Sequence, residues 1–109
     1  MNKLWEILVP TIMDGKPVRT RYHKVWDSKT RAIAKGLTIL TPTKSGQWVS
    51  PAGELFIERS IPVRIMCTEE QINVIANMTA RYYRQQAILF YEVSARVVLK
   101  HYNGKFEPI

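Results

Sequence analysis

The chain has 109 residues, of which 46% are apolar, so it can form one compact domain with a hydrophobic core and is not disordered throughout. No apolar run approaches the roughly 20 residues that a membrane-spanning helix needs, so we expect no membrane segment and no membrane partner. Sixteen basic against nine acidic residues give a net charge of +7, which favours an anionic partner without identifying it.

The first predicted element is a strand over residues 3–12. One face of this strand is fully apolar and consists of Trp5, Ile7 and Val9. The N-terminal apolar run is short and is interrupted by Glu6 and Pro10, unlike the core of a signal peptide. We therefore expect a cytoplasmic protein. A turn is predicted at residues 14–17.

Two helices are predicted from apolar residues that recur every three or four positions. The first covers residues 19–35, with Gly36 where a C-cap glycine would lie. The second begins with a capping box, in which Thr68 is the N-cap and Gln71 is the third helical residue. The buried stripe of the second helix is predicted to contain Ile72, Ile75, Ala76, Thr79, Tyr82 and Tyr83.

Further strands are predicted over residues 37–42 and 54–67, and residues 87–100 are predicted to form one long strand or two short ones. In the strand over 54–67, Arg59 is an exception on the apolar face, and Pro62 indicates a bulge or a sheet edge. The last strand is apolar on both faces, so a monomer would expose apolar surface. We therefore expect a homo-oligomer, a trimer, that uses the second sheet face and the strand edges.

The order strand, helix, strand, strand, helix, strand predicts an α+β sandwich of the ferredoxin-like type. Two helices would cover one face of an antiparallel sheet. We predict a single domain over residues 1–109, with the tail from about residue 102 loosely ordered.

Residues 36–67 hold the most specific local pattern. Its triplets Gly-Leu-Thr, Gly-Gln-Trp, Pro-Ala-Gly and Glu-Arg-Ser, followed by an apolar strand and a helix ending Tyr-Tyr-Arg-Gln-Gln, resemble a family of small bacterial proteins of unknown function. The match covers roughly residues 22–95. The matching positions are Trp26, Gly36, Leu37, Thr38, Gly46, Gln47, Trp48, Gly53, Glu58, Arg59, Ser60, Tyr83, Gln85 and Gln86. This resemblance implies no established activity.

The layout of the chain, with a capped helix before an apolar final strand, is similar to that of the trimeric PII-like proteins. It is also similar to that of the phage enzymes that degrade S-adenosylmethionine. These resemblances imply the PII-like version of the ferredoxin-like fold and ligand sites in clefts between subunits.

Glu58 and Ser60 are predicted on one strand face, about 7 Å apart. A carboxylate beside a hydroxyl can act as a base or bind an ammonium group, which makes Glu58 the candidate catalytic residue if the protein is an enzyme. The alternative is structural: Glu58 would form an ion pair with Arg64 or Arg59. The sequence leaves open whether the protein is an enzyme.

Gln47 and Trp48 follow a glycine turn, and an exposed Trp beside an amide can stack on a base or another ring. The alternative is that Trp48 anchors a hairpin on the sheet.

Arg19, Arg21, His23 and Lys24 form a basic cluster that leads into the first helix. Guanidinium groups at a helix N-terminus suit a phosphate or a carboxylate. The alternative is a solvated charged face.

Two distant histidines and the single Cys67 do not make a metal site, and there is no glycine-rich phosphate loop and no GxSxG motif. The sequence therefore predicts no metal and no cofactor. We expect Cys67 to be a buried, unreactive thiol.

These observations favour a small cytoplasmic oligomer that binds an anionic or nucleotide-like small molecule between subunits. One alternative is an enzyme that degrades S-adenosylmethionine. Another is a basic module for nucleic acid or an acidic protein. Nucleic acid is the less favoured partner because the charge is spread along the chain without a dense Lys/Arg block.

Overall fold

The computed structural model describes residues 1–43 and 46–108, apart from the side chains of Trp48, Phe56, Ile57 and Glu58. Within this part of the chain, the helices are α1 (Thr20–Ala34) and α2 (Glu69–Tyr82). The strands are β1 (Lys3–Pro10), β2 (Ile12–Met13), β3 (Lys16–Pro17), β4 (Thr38–Ile39), β5 (Gly46–Val49), β6 (Leu55–Glu58), β7 (Ser60–Cys67), β8 (Phe90–Ser94), β9 (Val98–Lys100) and β10 (Phe106–Pro108).

The main sheet, as far as the chain is described, has the strand order β4-β7-β1-β8 and is antiparallel throughout. Strands β1 and β7 form its centre, paired from Lys3 opposite Cys67 to Pro10 opposite Ser60. The remaining strands form the two-stranded ribbons β2–β3, β5–β6 and β9–β10. Both helices contact the central strands, so the predicted α+β sandwich is confirmed.

The hydrophobic core lies between the helices and one face of the sheet. The predicted apolar face of β1 is buried, and alternate residues of β7 beside it are buried too. The helices contribute Trp26 from α1 and the predicted stripe of α2. The main buried apolar side chains are Trp5, Ile7, Val9, Trp26, Val63, Ile65, Cys67, Ile72, Ile75 and Tyr83.

The start of α2 was predicted correctly, whereas the end of α1 differs from the prediction. The capping box of α2 is confirmed: the Thr68 hydroxyl accepts from the Gln71 amide at 3.1 Å, and the Gln71 side chain accepts from the Thr68 amide at 2.9 Å. At the end of α1, however, Lys35 rather than Gly36 adopts the left-handed conformation, with φ 66°. The Lys35 amide donates to the Arg31 carbonyl at 2.7 Å, so the cap of α1 lies one residue before the predicted one.

The predicted strand over residues 54–67 is wrong in one respect, because Arg59 divides it into β6 and β7. A charged side chain interrupts the apolar face at this residue, and Arg59 is exposed instead. Its carbonyl accepts from the Thr11 hydroxyl at 2.8 Å, and its Nε donates to the Thr43 carbonyl at 3.3 Å. The predicted strand over residues 37–42 is likewise reduced to the two residues of β4.

Pro62 causes no bulge between β1 and β7, since the register continues through its pairing with Leu8. The Pro62 carbonyl accepts from the Leu40 amide at 2.9 Å, so the side of Pro62 that lacks an N–H faces β4. Strand β7 lies between β4 and β1, so neither a bulge nor a sheet edge is found at Pro62; its missing N–H faces the segment that directly follows β4.

Residues 87–100, predicted to form one long strand or two short ones, form the two short strands β8 and β9. Phe90 points to the core and meets the Trp5 ring edge-on, with the ring centroids 6.1 Å apart. Leu89 and Tyr91 are exposed. The tail, which we expected to be loosely ordered, contains β10 because Phe106–Pro108 pair back onto β9.

Neither α1 nor α2, the helices present among the described residues, is both long and apolar enough to cross a membrane.

Candidate ligand-binding groove

A tight hairpin, formed by β2 and β3, lies at one side of the candidate site. Asp14 and Gly15 connect β2 to β3 with φ values of 52° and 76°, the conformation that a two-residue type I′ turn requires. The Val18 amide then donates to the Thr11 carbonyl at 2.9 Å, which closes the base of the hairpin. Helix α1 begins directly afterwards, so basic residues of the hairpin and of the helix start lie together.

A groove of about 570 Å³ lies between this hairpin, the first turns of α1 and the end of α2. Its lining combines apolar, aromatic and charged side chains. The lining residues are Met13, Asp14, Lys16, Pro17, Val18, Arg19, Arg21, Tyr22, Val25 and Tyr82.

Two tyrosine rings form a fixed wall of the groove. Tyr22 of α1 stacks on Tyr82 of α2, with the ring centroids 4.1 Å apart and 24° between the planes. The Tyr82 hydroxyl donates to the Tyr22 carbonyl at 2.8 Å, and the Tyr22 hydroxyl donates to the Tyr82 carbonyl. These reciprocal bonds hold both rings and both helices in place, so the wall is preorganised for an apolar or aromatic group.

The charged side chains of the groove make it electropositive. Lys16, Arg19 and Arg21 are exposed along it. Asp14 is the acidic lining residue, and it is bound to Arg84 at 2.6 Å. The side chain of Arg19, the N-cap of α1, makes no capping hydrogen bond, and the first turn has no acidic residue, so neither of these neutralises the positive end of the helix dipole. An anionic group is therefore favoured at this end of the groove.

His23 lies behind the tyrosine wall and is absent from the groove lining. Its Nδ1 is 2.6 Å from the hydroxyl of Tyr83, whose side chain is completely buried. Burial lowers the pKa of His23, and burial raises the pKa of Tyr83. At neutral pH an uncharged His23 ring and a protonated Tyr83 hydroxyl therefore share this hydrogen bond, and the contact supports the wall from the core side.

The structure brings only part of the predicted site together. Arg19 and Arg21 line the groove. Ser60 and Arg64 lie on the sheet face away from the helices, where the Ser60 amide donates to the Thr43 hydroxyl at 3.1 Å and Arg64 is bound to Glu6.

The remaining predicted residues belong to the β5–β6 hairpin. Gln47 is exposed there, opposite Ile57 in the ladder. The side chains of Trp48 and Glu58 lie outside the described part of the structure, so the roles predicted for them stay predictions. Because the chain leaves the ladder at Arg59, Glu58 and Ser60 do not belong to one continuous strand as predicted.

Sequence reasoning did not assign Lys16, Tyr22 or Tyr82 to a binding site. Tyr82 was assigned to the buried stripe of the second helix and Tyr22 lay within the first predicted helix without a further role, yet each side chain is only partly buried and lines the groove. Lys16 was assigned to a turn without a further role. The available signal was the Asp-Gly hairpin immediately before a basic helix start, which places Lys16 beside Arg19.

The described residues contain no group of three or more His, Cys, Asp or Glu side chains that could hold a metal ion. Cys67 is buried, and burial raises the pKa of its thiol to about 11. Its sulfur is therefore protonated at neutral pH and unsuited to act as a nucleophile.

The fold is an α+β sandwich of the ferredoxin-like, PII-like type. The solved structures that are similar to it include the following two. The periplasmic divalent cation tolerance protein CutA from Archaeoglobus fulgidus has a TM-score of 0.64 and 10% identity, over 92% of this chain and 89% of that one. A phage SAM lyase in complex with S-methyl-5′-thioadenosine has a TM-score of 0.57 and 17% identity, over 86% of this chain and 90% of that one.

At these identities the likeness shows the fold alone. No protein-family model and no curated protein sequence matches the chain. The resemblance to small bacterial proteins of unknown function therefore stays a prediction.

Proposed function

We propose that this protein is a small cytoplasmic homo-oligomer, a trimer, that binds an anionic, ring-bearing small molecule of the nucleotide type in the groove. The observation that carries the proposal is the pairing of the Tyr22–Tyr82 wall with Lys16, Arg19 and Arg21 in one groove. The ring of the ligand would lie against the wall, and its phosphate or carboxylate would meet the arginines.

Two further observations support this ligand class. The groove volume of about 570 Å³ falls within the range of small-molecule sites, about 300–1,000 Å³. A solved structure with this fold, the phage SAM lyase, holds S-methyl-5′-thioadenosine, a nucleoside derivative. We further propose that a neighbouring subunit borders the groove.

The test is isothermal titration with ATP and, in parallel, with adenosine, which has the same ring without the phosphates. We expect ATP to bind and adenosine to bind at least tenfold more weakly. Arg21→Gln should weaken ATP binding tenfold or more, because a hydrogen bond to a charged group contributes about 1.5–3 kcal/mol and 1.4 kcal/mol corresponds to a factor of ten.

Arg96→Gln is the matched control, since Arg96 is exposed and lies outside the groove. Its ATP affinity should equal that of the unmodified protein. Equal losses in the two arginine variants would mean that ATP is attracted by overall charge and not by the groove. Equal affinity for ATP and adenosine would contradict the anionic part of the proposal.

A second candidate function is degradation of S-adenosylmethionine, with Glu58 as the carboxylate. Its support is the fold shared with the phage SAM lyase. Incubation of the protein with S-adenosylmethionine, followed by chromatography for S-methyl-5′-thioadenosine, tests it directly. Product that forms with the unmodified protein and not with Glu58→Gln would support the enzyme. Absence of product with the unmodified protein would contradict the enzyme and leave the ligand-binding function as the proposal.

The basic charge also suits nucleic acid or an acidic protein. This reading predicts binding to a single-stranded oligonucleotide that weakens steeply as salt increases. Oligonucleotide binding that is unaffected by Arg21→Gln would separate it from the groove.

A further inference from the structure

Helix α2 ends with an arginine in a conformation that glycine usually adopts. The Gln85 amide donates to the Ala80 carbonyl at 2.8 Å and the Arg84 amide donates to the Arg81 carbonyl at 3.3 Å, which is the bond pattern of a Schellman motif. This motif requires a left-handed residue at the position of Arg84, whose φ is 55°. Glycine is usual there because a Cβ makes this conformation unfavourable. An arginine in its place points to a use for the side chain.

The Arg84 side chain reaches the hairpin formed by β2 and β3. Its Nη1 donates to Oδ2 of Asp14 at 2.6 Å, and Asp14 lines the groove whereas Arg84 does not. The two side chains are 68% and 57% exposed, and an ion pair as exposed as this contributes little to stability. The hairpin has a second tie to this segment, because Gln85 Nε2 donates to the Ile12 carbonyl at 3.5 Å. Fastening the hairpin therefore does not account for an arginine at a strained position.

The carboxylate of Asp14 opposes the charge that the groove offers to an anion. It lies among the lining residues with Lys16, Arg19 and Arg21. A volume of about 570 Å³ corresponds to a groove on the order of 10 Å across, which is close to the Debye length of about 10 Å at 0.1 M salt. The Asp14 charge therefore acts throughout the groove. Without a partner it would repel a phosphate, or pair with Lys16 two residues away and occupy a cation that the phosphate needs.

Arg84 removes this conflict from outside the groove. Its guanidinium binds the Asp14 carboxylate, so the groove cations stay available to an anion. We propose that Arg84 is a positioning residue, which neutralises Asp14 and thereby sets the preference of the groove for phosphate- or carboxylate-bearing ligands. This inference rests on the proposed function and names the residue that sets its charge specificity. Arg84 acts through Asp14 and does not touch the ligand.

The experiment titrates ATP by calorimetry, at about 0.05 M salt, into the unmodified protein, Arg84→Gln, Asp14→Asn and the double variant. Arg84→Gln should weaken ATP binding about three- to fivefold, the effect typical of one exposed charge. Asp14→Asn should bind ATP at least as tightly as the unmodified protein, and its hairpin should be retained because Asn-Gly is a preferred type I′ turn sequence. The double variant should bind within about twofold of the unmodified protein, because no carboxylate is left to neutralise.

A purely mechanical role predicts a different pattern. If the pair only fastened the hairpin to α2, Asp14→Asn would weaken ATP binding as much as Arg84→Gln, and the double variant would not recover. Those results would overturn the inference. Arg84→Gly gives a second check, since glycine is the preferred residue of the motif. Its melting temperature should not fall, while its ATP binding should weaken as in Arg84→Gln; unchanged ATP binding in Arg84→Gly would also overturn the inference.

Arg81→Gln is the matched control, since Arg81 is exposed in the last turn of the same helix and does not line the groove. It removes one positive charge without releasing Asp14, so its ATP affinity should stay within about twofold of the unmodified value. Equal losses in Arg81→Gln and Arg84→Gln would overturn the inference in favour of overall charge. An unmodified protein that does not bind ATP would overturn the proposed function and this inference with it, whereas ATP binding that Arg84→Gln leaves unchanged would overturn this inference alone.

Discussion

The contact between Trp26 and Thr79 offers a sharp test of how the two helices are held together. The indole Nε1 of Trp26 donates to the Thr79 hydroxyl at 2.9 Å, and that hydroxyl donates to the Ile75 carbonyl at 2.6 Å. Trp26 and Thr79 are both buried. Replacing Trp26 with Phe removes the hydrogen bond and part of the ring while keeping an aromatic side chain.

The expected loss of stability has two parts. Truncating a buried Trp or Phe to Ala costs about 3–5 kcal/mol, so removing only part of the ring should cost roughly 1–3 kcal/mol. The lost hydrogen bond adds about 1 kcal/mol. A total of roughly 2–4 kcal/mol is a large share of the 5–15 kcal/mol typical of a domain, and it corresponds to a melting temperature about 8–16 °C lower.

Urea denaturation at one fixed protomer concentration measures this loss, and a double-mutant cycle with Thr79→Val isolates the hydrogen bond. We expect a coupling of about 1 kcal/mol between the two positions. Thr79→Ser is the control, because it keeps the hydroxyl and should keep most of the coupling. A loss below 1 kcal/mol for Trp26→Phe, or zero coupling in the cycle, would refute the helix packing described above.

Two other predictions concern buried polar groups. Thr30→Val should raise the free energy of unfolding by about 1 kcal/mol, because the Thr30 hydroxyl is buried without a hydrogen-bond partner among the described residues; urea denaturation that shows destabilisation would contradict this. Burial lowers the pKa of His23, so the unfolded chain binds this proton first and the folded protein loses stability as pH falls below about 6.5. His23→Gln should reduce that loss in melting curves between pH 7.5 and 5.5, and an identical pH dependence would show that another group is responsible.

Local signals in the sequence were enough to predict the apolar face of β1 and most of the helical layer that packs on it. The alternation of Trp5, Ile7 and Val9 and the capping box at Thr68 depend on neighbours within a few residues. Each was found as predicted, as was the buried stripe around Ile75.

Long-range pairing could not be predicted in the same way. The bonds of Glu6 to Arg64 and Tyr91 join residues 58 and 85 positions apart, and they exist only once the register of the sheet is fixed. Alternation in the last strand defined two apolar faces without saying which would meet the helices, and the structure turns Phe90 to the core.

The groove could be predicted from the sequence only in part. Arg19 and Arg21 were recognised because they cluster at a predicted helix start, a local feature. Tyr82 is close to Arg19 and Arg21 only because α2 packs against α1, and so its contribution to the groove depends on tertiary structure.

The central claim is that the groove of a homo-oligomer binds an anionic ring-bearing ligand, and native mass spectrometry with added ATP tests both halves together. The account predicts an assembly of three 12.7 kDa protomers that carries one nucleotide per protomer, and an Arg21→Gln assembly of the same size without nucleotide. A protein found only at the protomer mass, with no nucleotide attached, would contradict it.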